Sequence, residues 1–197
     1  MSTYQDTVQR LGKSTATILE QLWESVQRGE LPQADFAQIA AQVVYLANEQ
    51  GRAAAQAALN GYVEIATGIP TVPVAQSATV TTAELARLEK AIGTILAADQ
   101  DTLMQLARLG NSEPLDSAAR SFSEGIRTNG KVKGWVPQLE PGACELCQWL
   151  YADGRIWPKD YPMQTHKGCG CSPLPTFADR ELSVPYSKFL NRNGVKR

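Results

Sequence analysis

All four cysteines of the chain and its single histidine fall within residues 144–171. The order is Cys144-x-x-Cys147, eighteen residues, then His166-x-x-Cys169-x-Cys171. Two soft ligands two residues apart can close on one ion through a tight turn. Two such knuckles joined by a loop supply the tetrahedral set that zinc prefers. Thiolate and imidazole donors select zinc over magnesium or calcium. The five candidates exceed four by one. Cys144, Cys147, His166 and Cys169 form two matching knuckles and are the favoured set. Cys171 either replaces His166 or Cys169 or stands as a free thiol beside the site. Two disulfides, or four cysteines serving as small buried hydrophobes, are the rival readings. The clustering of every cysteine with the sole histidine opposes the second. Against the first, the opening residues MSTYQDTVQRLGK lack the apolar segment of a secretion signal, so synthesis in a reducing cytoplasm is expected.

A set made only of thiolates and imidazole is a closed, structural zinc site, which stabilises folding and performs no chemistry. Glu145 is the one carboxylate inside the ligand loops and is expected to face solvent. Other catalytic constellations fail. Gly12-Lys13-Ser14-Thr15 imitates the end of a phosphate-binding loop, but Thr7 stands where its first glycine belongs. No Gly-x-Ser-x-Gly elbow occurs. With one histidine, neither a Ser-His or Cys-His pair nor an HNH-type nuclease can be assembled beside the metal site. The chain is therefore expected not to be an enzyme.

These ligands need elements to hold them. Sparse aromatics, 7%, and abundant alanine favour helices packed through small side chains over a β-sandwich. Residues 3–28 predict a helix with a seam of Tyr4, Val8, Leu11, Thr15, Ile18, Leu22 and Ser25, ended by Gly29. Pro32 opens a second helix, faced by Phe36, Ile39, Val43, Leu46 and Ala47. Gly51 and Gly61 are expected as kinks or its end. Pro70 and Pro73 exclude helix from residues 68–81, which read as a linker. Thr82 is expected to cap a third helix with Leu85, Leu88, Ile92, Ile95 and Leu96 inward. The stripe resumes at Leu103, Leu106 and Ala107 after a polar patch at Asp99–Asp101, and Gly110-Asn111 is expected to end it. A fourth helix, 113–128, turns Leu115, Ala118, Ala119, Phe122 and Ile126 inward. After Asn129-Gly130 periodicity disappears. Three of the four tryptophans crowd in with prolines and the cysteines, and so small an apolar core needs a staple.

The fold class expected is mainly α: long N-terminal helices followed by a small, irregular α+β, zinc-stapled C-terminal module. The division is a two-helix arm (1–67), a linker (68–81), a helical region (82–130), a zinc module (131–178) and a basic tail (179–197). Substituting Cys144 or Cys147 by Ser is expected to unfold the module and spare the helices. Residues 1–119 carry 7 basic and 13 acidic side chains, and residues 120–197 carry 12 and 7. That excess is modest and lacks the aromatic-interleaved basic stripe of nucleic-acid binders, so ordinary solvated charge is the favoured reading. No run of 18 apolar residues exists to span a membrane.

Gly134-Trp135, Cys144-Glu145-Leu146-Cys147, Asp153-Gly154 and His166-Lys167-Gly168-Cys169-Gly170-Cys171 together resemble the phage Mu F-like (MuF) family of minor head proteins. In that family a tryptophan precedes a Cys-x-x-Cys pair and a His-x-x-Cys-x-Cys ends the domain. Where the family often has Pro after the His and Arg between the last cysteines, this chain has Lys167 and Gly170. The resemblance covers the stretch 115–175, with the preceding helices similar to the family's variable arm. It implies a head morphogenesis protein of a tailed phage, sitting inside the capsid at the portal vertex and acting in assembly or in DNA packaging and ejection. Implied partners are the portal protein, scaffold and major capsid protein, and packaged DNA through the basic C-terminal part. Two other readings use the same residues: a zinc-dependent capsid maturation hydrolase, and a nucleic-acid-binding zinc module.

Overall fold

The computed structural model describes residues 3–71, 81–98, 101–152 and 154–177. The expected tail 179–197, positions 72–80 of the linker, and Asp99 and Asp153 lie outside the described residues. Among the described residues the chain is mainly helical, with a three-stranded sheet near its C-terminal end. Four long helices come first: α1 (Thr3–Gln27), α2 (Gln33–Thr67), α3 (Thr82–Ala97) and α4 (Thr102–Thr128). Then follow β1 (Gly134–Gln138), α5 (Glu145–Tyr151), β2 (Trp157–Pro158) and β3 (Ser172–Thr176). α4 packs along both α1 and α2, and α3 lies on α2. No helix among the described residues is long and apolar enough to cross a membrane.

The helices form where periodicity puts them, but three details differ from expectation. First, α4 is one helix. α3 ends at Ala97, and α4 starts at Thr102, where the Asp101 carboxylate accepts the Met104 N–H at 3.0 Å as an N-cap. Gly110 and Pro114 lie inside α4 because both serve tight packing. A Cβ on Gly110 would stand 2.9 Å from the Ala16 backbone of α1. One on Gly51 would stand 2.7 Å from the Pro114 carbonyl oxygen. Gly51 thus lets α2 and α4 touch, and α2 runs unbroken through it and Gly61 to Thr67.

Second, the buried face of α1 is Gln5, Val8, Gly12, Thr15 and Leu19, leaving Ile18 42% exposed. A count of apolar side chains misses Gln5 and Gly12, and so sets the seam off-centre. Third, α2 buries Phe36, Ala40, Ala41, Val44, Ala47, Ala55, Leu59 and Val63, while Leu46 is 60% exposed. Small residues, not large ones, mark the contact with α4. The α3 stripe holds, with Leu88 and Ile92 fully buried. Thr81, not Thr82, precedes its first turn.

A polar seam fixes the register of α2, α3 and α4. Fully buried Asn48 donates to Glu84 Oε1 at 3.1 Å. Arg52 donates to Ser117 Oγ at 2.8 Å and pairs with Glu84 at 3.2 Å and with Glu49. Arg87 pairs with Glu113 at 2.6 Å. Asn48 Oδ1 is buried without a hydrogen-bond partner, but the Arg and Glu side chains here are each paired across helices, so a slipped helix would strand a charge.

In the C-terminal part, β1 is the central strand, antiparallel to β2 and β3, with Trp135 opposite both Trp157 and Pro175. The prolines and tryptophans that look structureless in sequence thus form a sheet. Trp135 is 1% exposed, stacks on Trp157 at 5.9 Å and donates its indole N–H to the Tyr161 carbonyl at 2.7 Å. The Arg155 guanidinium caps Trp157 from 3.5 Å. One buried cluster runs from Val8, Ala55, Leu59, Leu115 and Phe122 of the helices to Trp135, Cys147, Leu150, Trp157, Cys169 and Cys171. A second joins Leu19, Phe36, Val44, Leu88, Ile92 and Leu106.

The glycine contacts make opposed predictions. Gly110→Ala should destabilise the chain by about 1–3 kcal/mol through overpacking, despite the better helix propensity of alanine. Gly93→Ala, with nothing within 4 Å of its added Cβ, should stabilise α3 by about 0.5–1 kcal/mol. Urea unfolding of the two variants checks both signs.

Candidate metal centre

Two arms deliver the candidate ligands. Cys144 immediately precedes α5, and Cys147 lies in the first turn of that helix; the Gln148 N–H closes the turn on the Cys144 carbonyl at 3.0 Å. The second arm is a tight turn. The Cys169 N–H donates to the His166 carbonyl at 3.0 Å, and Gly168 takes φ +80°, a left-handed conformation that other residues adopt at a cost. Cys171 directly precedes β3, so pairing of Ser172 with Gln138 fixes where its sulfur points.

The sulfurs of Cys147, Cys169 and Cys171 lie within 4.8 Å of one another, and all three residues are buried. Cys147 and Cys169 approach to 3.5 Å. Tetrahedral zinc with ordinary Zn–S bonds separates its sulfurs by about 3.8 Å. The trio therefore has the donor chemistry and the spacing of three corners of a soft-metal site. All four cysteines are free thiols.

Cys144 and His166 stand at the rim. Cys144 is half-buried and interacts with both Cys147 and His166. His166 is exposed, with Nδ1 3.1 Å from the Lys167 carbonyl. Donation from Nδ1 to that carbonyl leaves Nε2 as the ligand nitrogen. Three of the five candidates thus form the cluster, and the other two stand beside it. Spacing favoured Cys144, Cys147, His166 and Cys169, whereas geometry puts Cys171 beside Cys147 and Cys169 and leaves Cys144 and His166 to supply the fourth corner. Glu145 is exposed.

Electrostatics express the same crowding. Hydrogen bonds from the Cys147 and Cys171 thiols hold Cys169 well below the ordinary thiol range. The bond to Cys169, then that to Cys171 and burial, push Cys147 far up. Cys171 accepts a stabilising bond from Cys147, but its bond to Cys169 and burial outweigh this and raise it. One thiolate is tolerated, and the next two are opposed by the first. A divalent cation reverses that opposition, because each thiolate then neutralises charge instead of adding to it.

Two carboxylates absent from the ligand loops also reach the site. Glu140 lies beside Cys171: its backbone N–H donates to Cys171 Sγ at 3.4 Å, and its Oε1 accepts the Gly170 N–H at 2.9 Å. Asp116, on α4, is raised chiefly by burial and also feels the Cys169 charge and Lys167. Spacing offers no signal for Asp116, which is 53 positions before Cys169 in the chain and reaches it only through packing of α4.

Fold and site together define a helical bundle closed by a cysteine-knuckle module with the ligands for a soft metal ion. Compared with known families, residues 1–188 match the VG15 protein family, and the chain belongs to that family of viral (phage) proteins. No curated protein and no solved structure matches it.

Cobalt(II) added to the reduced protein should bind one to one, with thiolate charge-transfer absorption. Cys171→Ser should cut that absorption as deeply as Cys147→Ser. Because the cysteines share a core with α1, α2 and α4, loss of Cys147 should not spare the helices. Chelating a tightly bound ion should lower the melting midpoint of the whole chain by about 8–16 °C, in a single transition. Thermal scans by helix circular dichroism and tryptophan fluorescence, which should coincide, test this.

Proposed function

We propose that the chain is a minor structural protein of a tailed-phage head, of the MuF kind, which binds the portal inside the capsid and assists assembly or DNA packaging and ejection. Its ion is zinc, held by Cys147, Cys169 and Cys171 with Cys144 or His166 as the fourth ligand. The zinc is structural: it supplies folding free energy and a rigid surface, and the protein acts by binding rather than by catalysis.

The observation that carries this reading is the three-thiol cluster, built into the buried core of a chain that belongs to a viral protein family. The motif set from Gly134 to Cys171 adds the likeness to minor head proteins. The only histidine and all four cysteines gather at the one cluster, leaving the usual nucleophile–base pairs without members.

The test is co-expression of the tagged chain with the portal protein of the same phage, followed by gel filtration and mass spectrometry of purified particles. The expected result is co-elution with the portal ring and a few copies per particle. Elution as a separate species, with no copies in particles, contradicts the proposal.

A further inference from the structure

Helix α1 is separated from the metal centre by more than a hundred residues of chain, yet it holds the centre's backbone. Gln5 and Gln9 sit one helical turn apart and so share a face. Gln5 is 1% exposed, and its amide N–H₂ spends both protons on the module: one on the Gln138 carbonyl at 2.9 Å, one on the Gly170 carbonyl at 3.1 Å. Gln9 donates to Glu140 Oε2 at 2.6 Å. The other oxygen of that carboxylate takes the Gly170 N–H at 2.9 Å. The Gly170 residue between the two cysteines is therefore clamped at both ends, its N–H through Glu140 and its C=O through Gln5.

Gly170 is part of the same arrangement. A Cβ there would collide with Gln9 Nε2 and come within 2.5 Å of Glu140 Oε2. Only an unsubstituted residue between Cys169 and Cys171 leaves space for the α1 side chain to reach the carboxylate. Cys171 Sγ in turn accepts the Glu140 backbone N–H, the bond that a metal-bound thiolate receives from its surroundings.

We propose that Gln5, Gln9, Glu140 and Gly170 are positioning residues of the metal centre and form a latch, so that metal occupancy and docking of α1 onto the module strengthen each other. This rests on the metal-centre reading above. The latch aims the sulfurs of Cys169 and Cys171 by fixing the peptide groups between them. Conversely, an ion that holds those sulfurs presents the Gly170 and Glu140 acceptors to α1 in their docked geometry. Linkage makes the two effects equal in size.

The experiment uses the full chain, with zinc affinity measured by chelator competition and α1 docking by hydrogen exchange of residues 3–10. Gln9→Ala and Glu140→Ala should each weaken zinc binding about tenfold, the lower end of what outer-shell partners of metal ligands contribute. Their effects should not multiply when combined, since both break one bond. Glu140→Gln, which keeps one acceptor oxygen, should recover part of the loss. Gly170→Ala should act like Gln9→Ala, because the atom it displaces is the free end of a flexible side chain. Exposed Lys13→Ala on the same helix should change nothing. In the parent protein zinc should slow exchange in residues 3–10 about tenfold, and in Gln9→Ala this protection should shrink. If the parent binds zinc but Gln9→Ala and Glu140→Ala bind it within twofold as well, and exchange in α1 ignores the metal, the latch is wrong while the metal centre stands. If the parent takes up neither zinc nor cobalt, both are wrong.

Discussion

The molecule turns on the mutual repulsion of three thiolates placed inside a protein. Cys147, Cys169 and Cys171 occupy a buried space too small for three charges, and their mutual hydrogen bonds favour charge on Cys169 while opposing it on the other two. Left alone, such a cluster is best kept mostly protonated and weakly cohesive. With a divalent cation at its centre the same crowding turns into attraction along several bonds at once. The short helix α5 and the turn at Gly168 exist to deliver sulfurs to that point, and the sheet locks the second arm by pairing immediately after Cys171.

The helical body is not a separate support. Its buried residues run without interruption into the tryptophans and cysteines of the C-terminal part, through α4, which touches both. Glycines at 51 and 110 bring backbones close enough that α1, α2 and α4 act as one block. Against this block the knuckle is held by packing and by the glutamines of α1. The cysteine cluster is thus part of a core shared with the helices and not a separately tethered finger.

Much of this was legible in the residues. The helices, the apolar stripe of α3, the caesura after Asn129 and the gathering of Cys147, Cys169 and Cys171 from two knuckles all follow from periodicity and spacing. What was not legible has one physical origin: the contacts that decide it are made by residues that apolar counting ignores. Gly12 and Gln5 centre the buried face of α1, and Ala40, Gly51 and Ala55 centre that of α2. Gly110-Asn111 and Pro114 look like a helix end because propensity describes an isolated helix, whereas here burial against α1 and α2 carries α4 through them. Spacing alone set Cys171 aside, since the preference for two equal knuckles cannot register a backbone N–H from Glu140 or the strand that begins at Ser172. The sheet was hidden because prolines at 137, 173 and 175 suppress the usual strand signature while leaving the ladder intact around them.

The bonds from Gln5 to Gln138 and Gly170 span 133 and 165 positions of chain. During synthesis α1 leaves the ribosome well before its final partners. For most of that time its amide-bearing face has nothing to bind, and the bundle can form only its local helical pairs. Closure waits for the second knuckle, so an ion bound there would arrive as the bundle is completed, and a nascent chain truncated before residue 171 lacks the means to finish. Contacts of such long reach are also slow to form once the chain is free, so an ion at the cysteines would act on the timing of this closure as well as on its strength.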